Sequence, residues 1–334
     1  MALFFKPPRF GLEFTDKAGN RRWPPIVVGN LPVLGRVRID PMLIGVLFNL
    51  GVVHIGAAFA VWWFWTRGLT GFDVLLWLGM HFTVGIGLTL GYHRYFCHKA
   101  FSAGHGTAVV LGALATASMQ GRLKTWVSVH RKHHHHSDEE GDPHSPKPLA
   151  PGFGASMSAL FDGHAGWIMR GRLCDYVDYI RDMRKDPDVA FVDKYYWVWA
   201  AMGWIIPGLI ALGWYGEPSG FVSGLLAGGA WRTFWQMNAT WAVNSLSHRW
   251  GSQPFFAKDD SRNNWLVNLL TLVGEGLHNN HHAFPWSARF ALLPGELDPG
   301  YWVLNTMVKT GLAWDLKIPT TAQLEGRMRH AAAE

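Results

Sequence analysis

Four long stretches with almost no charge set the pattern of this chain. Residues 42–65, 74–92 and 195–216 contain no Asp, Glu, Lys or Arg, and residues 221–247 contain only Arg232. A helix needs about 20 apolar residues to cross the roughly 30 Å hydrocarbon core of a bilayer. We therefore predict four transmembrane helices over these four stretches.

The loops between these helices predict their orientation. Two short loops, residues 66–73 and 217–220, join the helices into two hairpins, and Arg67 is their only basic residue. The remaining segments carry nearly all the Lys and Arg, which favours the cytoplasmic side. We expect both termini and the metal-binding segments described below to be cytoplasmic. The predicted fold is an all-α integral membrane protein with four transmembrane helices in two hairpins and a cytoplasmic helical cap.

The same pattern divides the chain into segments. We predict a cytoplasmic N-terminal segment over residues 1–40, a main domain over residues 41–316 and a C-terminal tail over residues 317–334. Within the main domain, residues 93–194 and 248–316 form the cap. The opening residues show no charged segment followed by an apolar one, so we expect no cleaved signal peptide.

Composition agrees with a membrane protein. Apolar residues make up 49% of the 334 residues and charged residues 16%, whereas soluble domains carry about 25% charged residues. The net charge of +6 fits basic inner loops, so we expect no nucleic-acid partner. Cys97 and Cys174 are the only cysteines, which excludes a disulfide framework and a cysteine-based zinc or iron–sulfur site.

Histidine is unusually frequent, with 17 residues against 24 acidic ones, and most histidines fall in the predicted cap. Residues three and four apart share one face of a helix, so each of the two HxxHH motifs can aim three imidazoles together. Asn244 and His248 share a face in the same way. His93 and His98 are five apart, so we expect them on diverging faces, reaching two different metals, unless the helix end unwinds. The nine candidate imidazoles are His93, His98, His130, His133, His134, His248, His278, His281 and His282.

Nine imidazoles exceed the four ligands that one zinc ion takes. They suit two metal ions, and imidazole is a ligand for iron, zinc or copper. Another interpretation stays open for part of the histidine set, because the run His133–His136 could be a metal-buffering loop. We interpret His54 and His81 as packing residues of a span, and His105, His164 and His330 as surface residues.

The motifs and their order resemble those of the membrane fatty acyl desaturases, of the stearoyl-CoA (delta-9) type. The resemblance rests on three histidine boxes, HRYFCH (93–98), HRKHH (130–134) and HNNHH (278–282). The segment NATWAVNS (238–245) with the later His248, the segment DSRNN (260–264) and the Gly-Glu-Gly before the third box also match. The resemblance extends from about residue 40 to residue 316.

The resemblance implies a function and a set of site residues. It implies two ferrous ions held by the nine histidines, with Asn244 holding a metal-bound water. O₂ would be the co-substrate, and the product would carry a cis double bond. It also implies an internal acyl tunnel that bends where the double bond forms, lined at the bend by Gln120, Trp126, Thr240 and Trp241. His135, His136 and His144 fall outside the ligand pattern.

The acyl carrier is less well defined. A long-chain acyl-CoA such as stearoyl-CoA or palmitoyl-CoA is the implied substrate, but the Arg-Asp pair that grips CoA in the animal enzymes is replaced here by Ser128 and Val129. Arg131 and Lys132 remain. Other basic residues could still meet a phosphate-rich carrier: Arg21, Arg22, Arg36, Arg38 and Lys124. A lipid-linked or carrier-protein-linked acyl chain stays open.

Further expectations concern partners, location and chain length. We expect a separate electron donor, either a b-type cytochrome, a ferredoxin or a rubredoxin with its reductase. We favour a bacterial inner membrane over the endoplasmic reticulum. Trp77 and His81 lie one turn apart and roughly 18–24 Å from His93 along a helix, so we predict that they form the floor of the tunnel.

Two rival functions remain. A related di-iron hydroxylase or alkane monooxygenase would use the same oxidant, although its box spacing differs and it lacks the 238–245 segment. A histidine-rich metal transporter should place polar ligands along a path through the membrane, whereas these boxes lie at one face.

Overall fold

A computed structural model describes residues 26–31, 35–39, 41–146, 153–169 and 177–329, with side chains described from residue 45 onward except those of residues 153–155, 169 and 177. The N-terminal segment predicted over residues 1–40 therefore lies largely outside the described residues, as do Arg21, Arg22 and His330. Two short antiparallel strands, β1 (Ile26–Leu31) and β2 (Gly35–Ile39), precede the first helix.

The first predicted hairpin is present. Helix α1 spans Pro41–Arg67 and α2 spans Gly71–Ile86. A capping box between Thr70 and Asp73 starts α2, since each residue bonds the other's backbone N–H. Helix α2 then runs without a break into π1, a π-helix over Gly87–Cys97, so one helical rod carries the first histidine box.

The second hairpin is also helical. Helix α8 (Tyr196–Tyr215) ends at Gly216, whose φ of 71° only glycine adopts easily. Its partner is built from α9 (Pro218–Gly224), the π-helix π3 (Leu225–Trp231) and α10 (Arg232–Leu246) in direct succession.

Among the described residues, three helices are long and apolar enough to cross a membrane: Gly45–Arg67, Gly71–Cys97 and Tyr196–Tyr215. The predicted fourth span does not qualify, because polar residues such as Arg232 and Gln236 lower its mean hydropathy. Arg232 is fully buried and donates to the carbonyls of Gly228, Ala117 and Gly203. The four-span arrangement and the cytoplasmic orientation therefore stay predictions.

The remaining elements lie between and after the two hairpins. They are β3 (Ser102–Ala103), α3 (His105–Thr116), α4 (Leu123–His136), α5 (Phe153–Phe161), π2 (Asp162–Gly166), α6 (Trp167–Met169), a 3₁₀-helix (Val177–Met183), α7 (Pro187–Lys194), α11 (Trp265–Thr271), α12 (His278–Ala283), α13 (Pro299–Lys309), β4 (Ala313–Trp314) and α14 (Thr321–Glu325). Strands β3 and β4 pair antiparallel, so the described fold is helical apart from four short strands.

Two glycines let π1 pack closely against α3. A Cβ at Gly87 would lie 2.4 Å from Leu114 Cβ, and one at Gly91 would lie 2.7 Å from the Leu111 carbonyl oxygen. Real Cβ atoms do not approach that closely. Helix α3 is therefore tightly packed on the rod that carries His93.

A buried ion pair fixes the same rod to the C-terminal part of the chain. Arg94 donates to both carboxylate oxygens of Asp298, at 2.8 and 3.0 Å, and stacks over Phe290. The described part of the predicted tail also packs on the body, because Phe256 N–H donates to the Arg327 carbonyl. The three-segment division stays a prediction.

Candidate metal centre

Five imidazoles form a first cluster, called group 1: His93, His98, His130, His134 and His281. One nitrogen from each lies within 4.8 Å of the others. Nε2 of His281 is 2.9 Å from Nε2 of both His93 and His134, and Nε2 of His130 is 3.1 Å from that of His98.

The presence of both His93 and His98 in group 1 corrects the expectation that they reach two different metals. That expectation assumed α-helical winding, in which residues five apart diverge. Box one instead lies on π1, where each turn takes up an extra residue and hydrogen bonds join residues five apart. The His98 N–H indeed donates to the His93 carbonyl at 3.1 Å, so the two imidazoles face one side.

Four further imidazoles form a second cluster, called group 2: His133, His248, His278 and His282. Nε2 of His248 is 3.0 Å from Nε2 of His278. All four side chains are buried, none more than 8% exposed.

Helices α4 and α12 each serve both groups. On α4, His130 and His134 point into group 1 while His133 points into group 2; on α12, His281 belongs to group 1 while His278 and His282 belong to group 2. Residues four apart share a face, whereas the residue between them is rotated away. Each HxxHH motif therefore bridges two sites, rather than aiming three imidazoles at one.

Four carboxylates orient histidines of the two groups through Nδ1. Glu275 lies 2.8 Å from Nδ1 of His93 in group 1. In group 2, Asp142 lies 3.0 Å from His133, Asp138 lies 3.2 Å from His248 and Asp259 lies 2.7 Å from His282. Such a carboxylate fixes the tautomer that leaves Nε2 free for a metal. None of these carboxylates was predicted as a site residue, although Asp138, Asp142 and Glu275 lie near a histidine box and Asp259 directly precedes the matching segment 260–264.

The two groups fit metal ions. Two ligands at right angles, each about 2.1 Å from a metal, are about 3.0 Å apart, which is the observed spacing of the Nε2 atoms. Nε2 of His133 and of His282 is buried without a hydrogen-bond partner, although buried polar atoms normally have one. A metal ion satisfies these atoms.

The electrostatics also favour metal binding. Burial lowers the pKa of His130, His134 and His281 well below the usual value for histidine. It has the same effect on the pKa of His278 and His282. Neutral imidazole is the form that binds a metal, so these residues are in the required state at neutral pH.

His135 and His136 belong to neither group, in keeping with their place outside the ligand pattern. His144, which the resemblance placed outside the ligand pattern, lies close to a group 2 histidine. It is buried, its ring lies 4.3 Å from that of His133, and it forms a third possible ligand set with His133 and Asp142.

A cavity of about 360 Å³ extends from α1, α8 and α10 to group 1. His130 of group 1 lines it, together with His144 and Asn244. So do the four residues predicted at the bend: Gln120, Trp126, Thr240 and Trp241. Gln120 Nε2 donates to Thr240 Oγ1 at 2.9 Å, and Trp126 stacks on His130 with 4.9 Å between ring centroids.

Trp77 and His81 do not line this cavity. His81 is held by Gln236 at 3.0 Å and by the Leu270 carbonyl at 2.9 Å. Trp77 packs edge-on against Trp231 and Trp235. Their role as a tunnel floor stays a prediction, to which the cavity lends no support.

Two other histidines were interpreted as surface residues. His105 is exposed and pairs with Asp188 at 2.9 Å. His164 is half-buried on π2 and lies between Ser245 and Asn238 of α10, at 3.0 and 3.2 Å. The surface interpretation is therefore wrong for His164, because π2, which carries it, packs on α10.

Comparison with known proteins places the chain in a family. The sequence profile of the fatty acid desaturase family matches residues 74–294. A hex-5-enoyl-[acyl-carrier protein] acetylenase of Moorena producens is 36% identical over 84% of this chain and 88% of its own length. An sn-1 stearoyl-lipid 9-desaturase of Anabaena variabilis is 33% identical over 84% of this chain and 95% of its own length. An acyl-CoA 5-desaturase of Anemone leveillei is 31% identical over 70% of this chain and 68% of its own length.

The profile covers all three histidine boxes and the segment between them, which together build both metal groups. The resemblance inferred from the boxes is thereby confirmed: this chain belongs to the fatty acid desaturase family.

Proposed function

We propose that this chain is an oxygen-dependent acyl desaturase that inserts a cis double bond at the delta-9 position of a saturated long-chain acyl group. One observation carries the proposal: a cavity lined by Trp126, Thr240 and Trp241 leads to His130 of group 1. A mostly apolar cavity with a few convergent polar groups is typical of a small-molecule site. Relatives that are 9-desaturases by name support the delta-9 position.

Two iron ions, one in each group, would supply with O₂ the oxidant that an unactivated methylene requires and no side chain provides. The nine histidines would hold them through Nε2 or Nδ1. We propose that Asn244, which lines the cavity one turn before His248, holds a water on the group 2 metal. Electrons would come from a separate donor, a b-type cytochrome, a ferredoxin or a rubredoxin with its reductase.

The protein's part in the reaction is to position one carbon–carbon bond and to exclude water. The Gln120–Thr240 hydrogen bond joins the turn after α3 to α10 across the cavity wall. We propose that this contact narrows the path at the predicted bend. Trp126, flat against His130, closes the wall on the metal side.

The similar proteins do not agree on the acyl carrier. The relatives act, by name, on acyl chains attached to carrier protein, to lipid and to CoA. The acyl-CoA substrate predicted from the sequence therefore needs support from the contacts of this chain.

Expression in a host that lacks delta-9 monoenes tests the function. We expect gas chromatography to show a new cis monoene, absent from a host expressing His134→Ala. A hydroxylated fatty acid in place of the monoene would instead establish the rival hydroxylase. An unchanged fatty acid profile, with correctly inserted and iron-loaded protein, would contradict both.

A further inference from the structure

The stretch before the third histidine box runs along α2 and then turns back. Its first half is α11 (Trp265–Thr271), and its second half is the irregular stretch 272–275. We call residues 265–275 the α11 segment. The backbone N–H of Asn264, just before it, donates to the carbonyl of Gly276, just after it, at 2.7 Å. The two ends of the segment therefore lie side by side next to the third box.

Contacts with α2 and π1 show how far the segment extends from that box. Glu275 at its end accepts a hydrogen bond from the Thr89 hydroxyl of π1. A Cβ on Gly85, one turn closer to the start of α2, would lie 3.0 Å from Val273 Cγ1 and 3.7 Å from the Thr271 carbonyl oxygen. The segment therefore follows successive turns of α2 away from the metal groups.

The contact furthest from the metal groups is at His81. Its Nε2 donates to the Leu270 carbonyl at 2.9 Å, and Nε1 of Trp235 on α10 donates to the same oxygen at 3.4 Å. His81 lies ten residues, or about 15 Å, from Gly71, where the short loop from α1 ends and α2 begins. Both helices are long and apolar enough to cross a membrane. In a hydrocarbon core about 30 Å thick, His81 and the turn of the segment lie near the middle.

The end of α11 is built for surroundings without water. Hydrocarbon offers no hydrogen-bond partners, so backbone groups at this depth must be satisfied within the protein. The Leu272 N–H donates to the Asn268 carbonyl at 3.0 Å, and the Thr271 hydroxyl donates back into the same helix. The Leu270 carbonyl belongs to the last turn, where carbonyls lack helical partners. His81 supplies the partner that it needs.

The exposed and buried parts of the segment fit the same surroundings. Trp265, Leu266 and Leu269 face away from the protein, and Leu269 is 58% exposed, whereas Val267 is buried against α10. In the irregular return, Val273 is buried. Lipid tolerates an exposed helix but not exposed irregular backbone. The segment exposes the first and buries the second.

We propose that residues 265–275 form a re-entrant segment, which enters the bilayer from the side of the metal groups, turns near its middle and returns to Glu275. Its partner is the acyl region of the surrounding lipid, which contacts Trp265, Leu266 and Leu269. The segment was predicted as part of the cytoplasmic cap, so the proposal changes its location. It concerns the membrane placement of the chain and does not depend on the reaction.

A depth measurement in vesicles tests the placement. Trp265→Cys and Leu269→Cys are made singly in a full-length chain that also carries Cys174→Ser, while Cys97 stays because it is buried. An NBD fluorophore on the new cysteine is quenched by lipids that carry a doxyl group at different depths. We expect the Leu269 label within about 8 Å of the bilayer centre. The Trp265 label should lie about 6 Å further out, since four helical residues separate the two positions.

Two reference positions calibrate the measurement. Ile55→Cys reports lipid contact, because Ile55 is 72% exposed near the middle of α1. Phe256→Cys reports the predicted cap, because Phe256 is 59% exposed, nearly as much as Leu269. We expect aqueous iodide to quench the Phe256 label and to spare the Ile55 and Leu269 labels. A Leu269 label that is as open to iodide as the Phe256 label would overturn the proposal. A depth of about 15 Å from the centre, at the edge of the hydrocarbon, would overturn it as well.

Substitution of His81 tests what holds the turn. His81→Leu removes the donor to the Leu270 carbonyl, and we expect iodide quenching of the Leu269 label to rise at least twofold. His81→Gln keeps an N–H donor and should restore most of the protection. Trp235→Phe removes the longer hydrogen bond and should have a smaller effect. Unchanged quenching in both His81→Leu and Trp235→Phe would overturn the proposed hold on the turn, while the depth of the Leu269 label in the otherwise unaltered chain tests the placement independently.

Discussion

The two metal groups differ in what holds their ligands in place. Group 1 has five imidazoles and one orienting carboxylate, Glu275, whereas group 2 has four imidazoles and three carboxylates, Asp138, Asp142 and Asp259. Group 1 draws His93 from the π-helix at the end of the second predicted span and His98 from the residue directly after that helix. Group 2 draws its ligands from α4, α12 and the segment that follows α10.

The difference indicates two ways to position a metal ligand. In group 1, rigid helical packing fixes His93 and His98, so few outer hydrogen bonds are needed. In group 2, His248 follows α10 in a turn rather than in regular helix, and its Nδ1 is fixed by a carboxylate. Group 2, with fewer imidazoles, is also the one with an expected place for a bound water near Asn244.

The largest expected effect comes from removing a ligand. His134→Ala in group 1 and His282→Ala in group 2 should each lower activity more than about 100-fold, since loss even of an outer partner costs up to that much. Total iron measured by elemental analysis should fall in both. The control is His135→Ala, which is adjacent to His134 but belongs to neither group. Equal iron loss in His135→Ala and His134→Ala would show that the wrong histidines have been assigned.

The second prediction concerns the packing that supports group 1. Gly87→Ala should push π1 away from α3, because the new Cβ would meet Leu114 at 2.4 Å; overpacking of this kind costs about 1–3 kcal/mol. We expect iron to be lost from group 1 and retained in group 2, as read by Mössbauer spectroscopy of ⁵⁷Fe-loaded protein. Gly104→Ala, with nothing within 4 Å of the new Cβ, is the matched control. Uniform loss from both groups would show that the π-helix has no special link to group 1.

The sequence predicted which histidines lie together better than how they are arranged. All nine predicted histidines lie in the two groups, because the i, i+3 and i+4 spacing is visible in the sequence. The division of each HxxHH motif between two sites was not predicted, since it depends on where the neighbouring helices lie. The π-helix was missed for the same reason: the close approach of Gly87 and Gly91 to α3 is a tertiary contact. An imidazole that binds a metal through Nε2 carries an N–H at Nδ1, which needs a hydrogen-bond acceptor. This requirement could have pointed to the Asp and Glu residues near the boxes.

For the fold, the positions of the helices were likewise predicted better than the surroundings of each helix. The four uncharged stretches all fall on helices, and three of the helices meet the length and hydropathy needed to span a membrane. The fourth carries Arg232 and Gln236 into the protein interior, where Arg232 donates to backbone carbonyls and Oε1 of Gln236 accepts from His81. Charge counting alone does not distinguish such a helix from one that faces lipid.

The third prediction compares the orienting carboxylates. Asp259→Asn should weaken iron binding by group 2 towards the upper end of the roughly 10–100-fold range known for such partners. Glu275→Gln should weaken group 1 towards the lower end, because four of its five imidazoles do not depend on Glu275. Competition with a chelator, followed by Mössbauer spectroscopy, measures the two affinities separately. A larger loss from Glu275→Gln than from Asp259→Asn would reverse the comparison.

The smallest expected effect concerns the hydroxyl groups that donate to the orienting carboxylates. The Thr89 hydroxyl donates to Glu275 at 2.5 Å, and the Ser145 hydroxyl donates to Asp138 at 2.9 Å. Burial acts to raise the pKa of Glu275, but His93, Arg94 and the Thr89 hydroxyl together outweigh it and lower the pKa, so the carboxylate is charged and benefits from each donor.

Thr89→Val keeps the shape of the side chain and removes one of the two side-chain donors to Glu275. Ser145→Ala removes a donor from Asp138, which also accepts from the Asp260 N–H and faces His248. A hydrogen bond to a charged group contributes about 1.5–3 kcal/mol, but only part of this reaches the metal through Glu275 and His93. We therefore expect Thr89→Val to weaken iron binding by group 1 several-fold and Ser145→Ala to change group 2 by less than twofold, in the same chelator competition. Because Asp138 retains other donors and Glu275 retains only His93, an equal or larger effect of Ser145→Ala would show that group 2 depends on each of its outer hydrogen bonds.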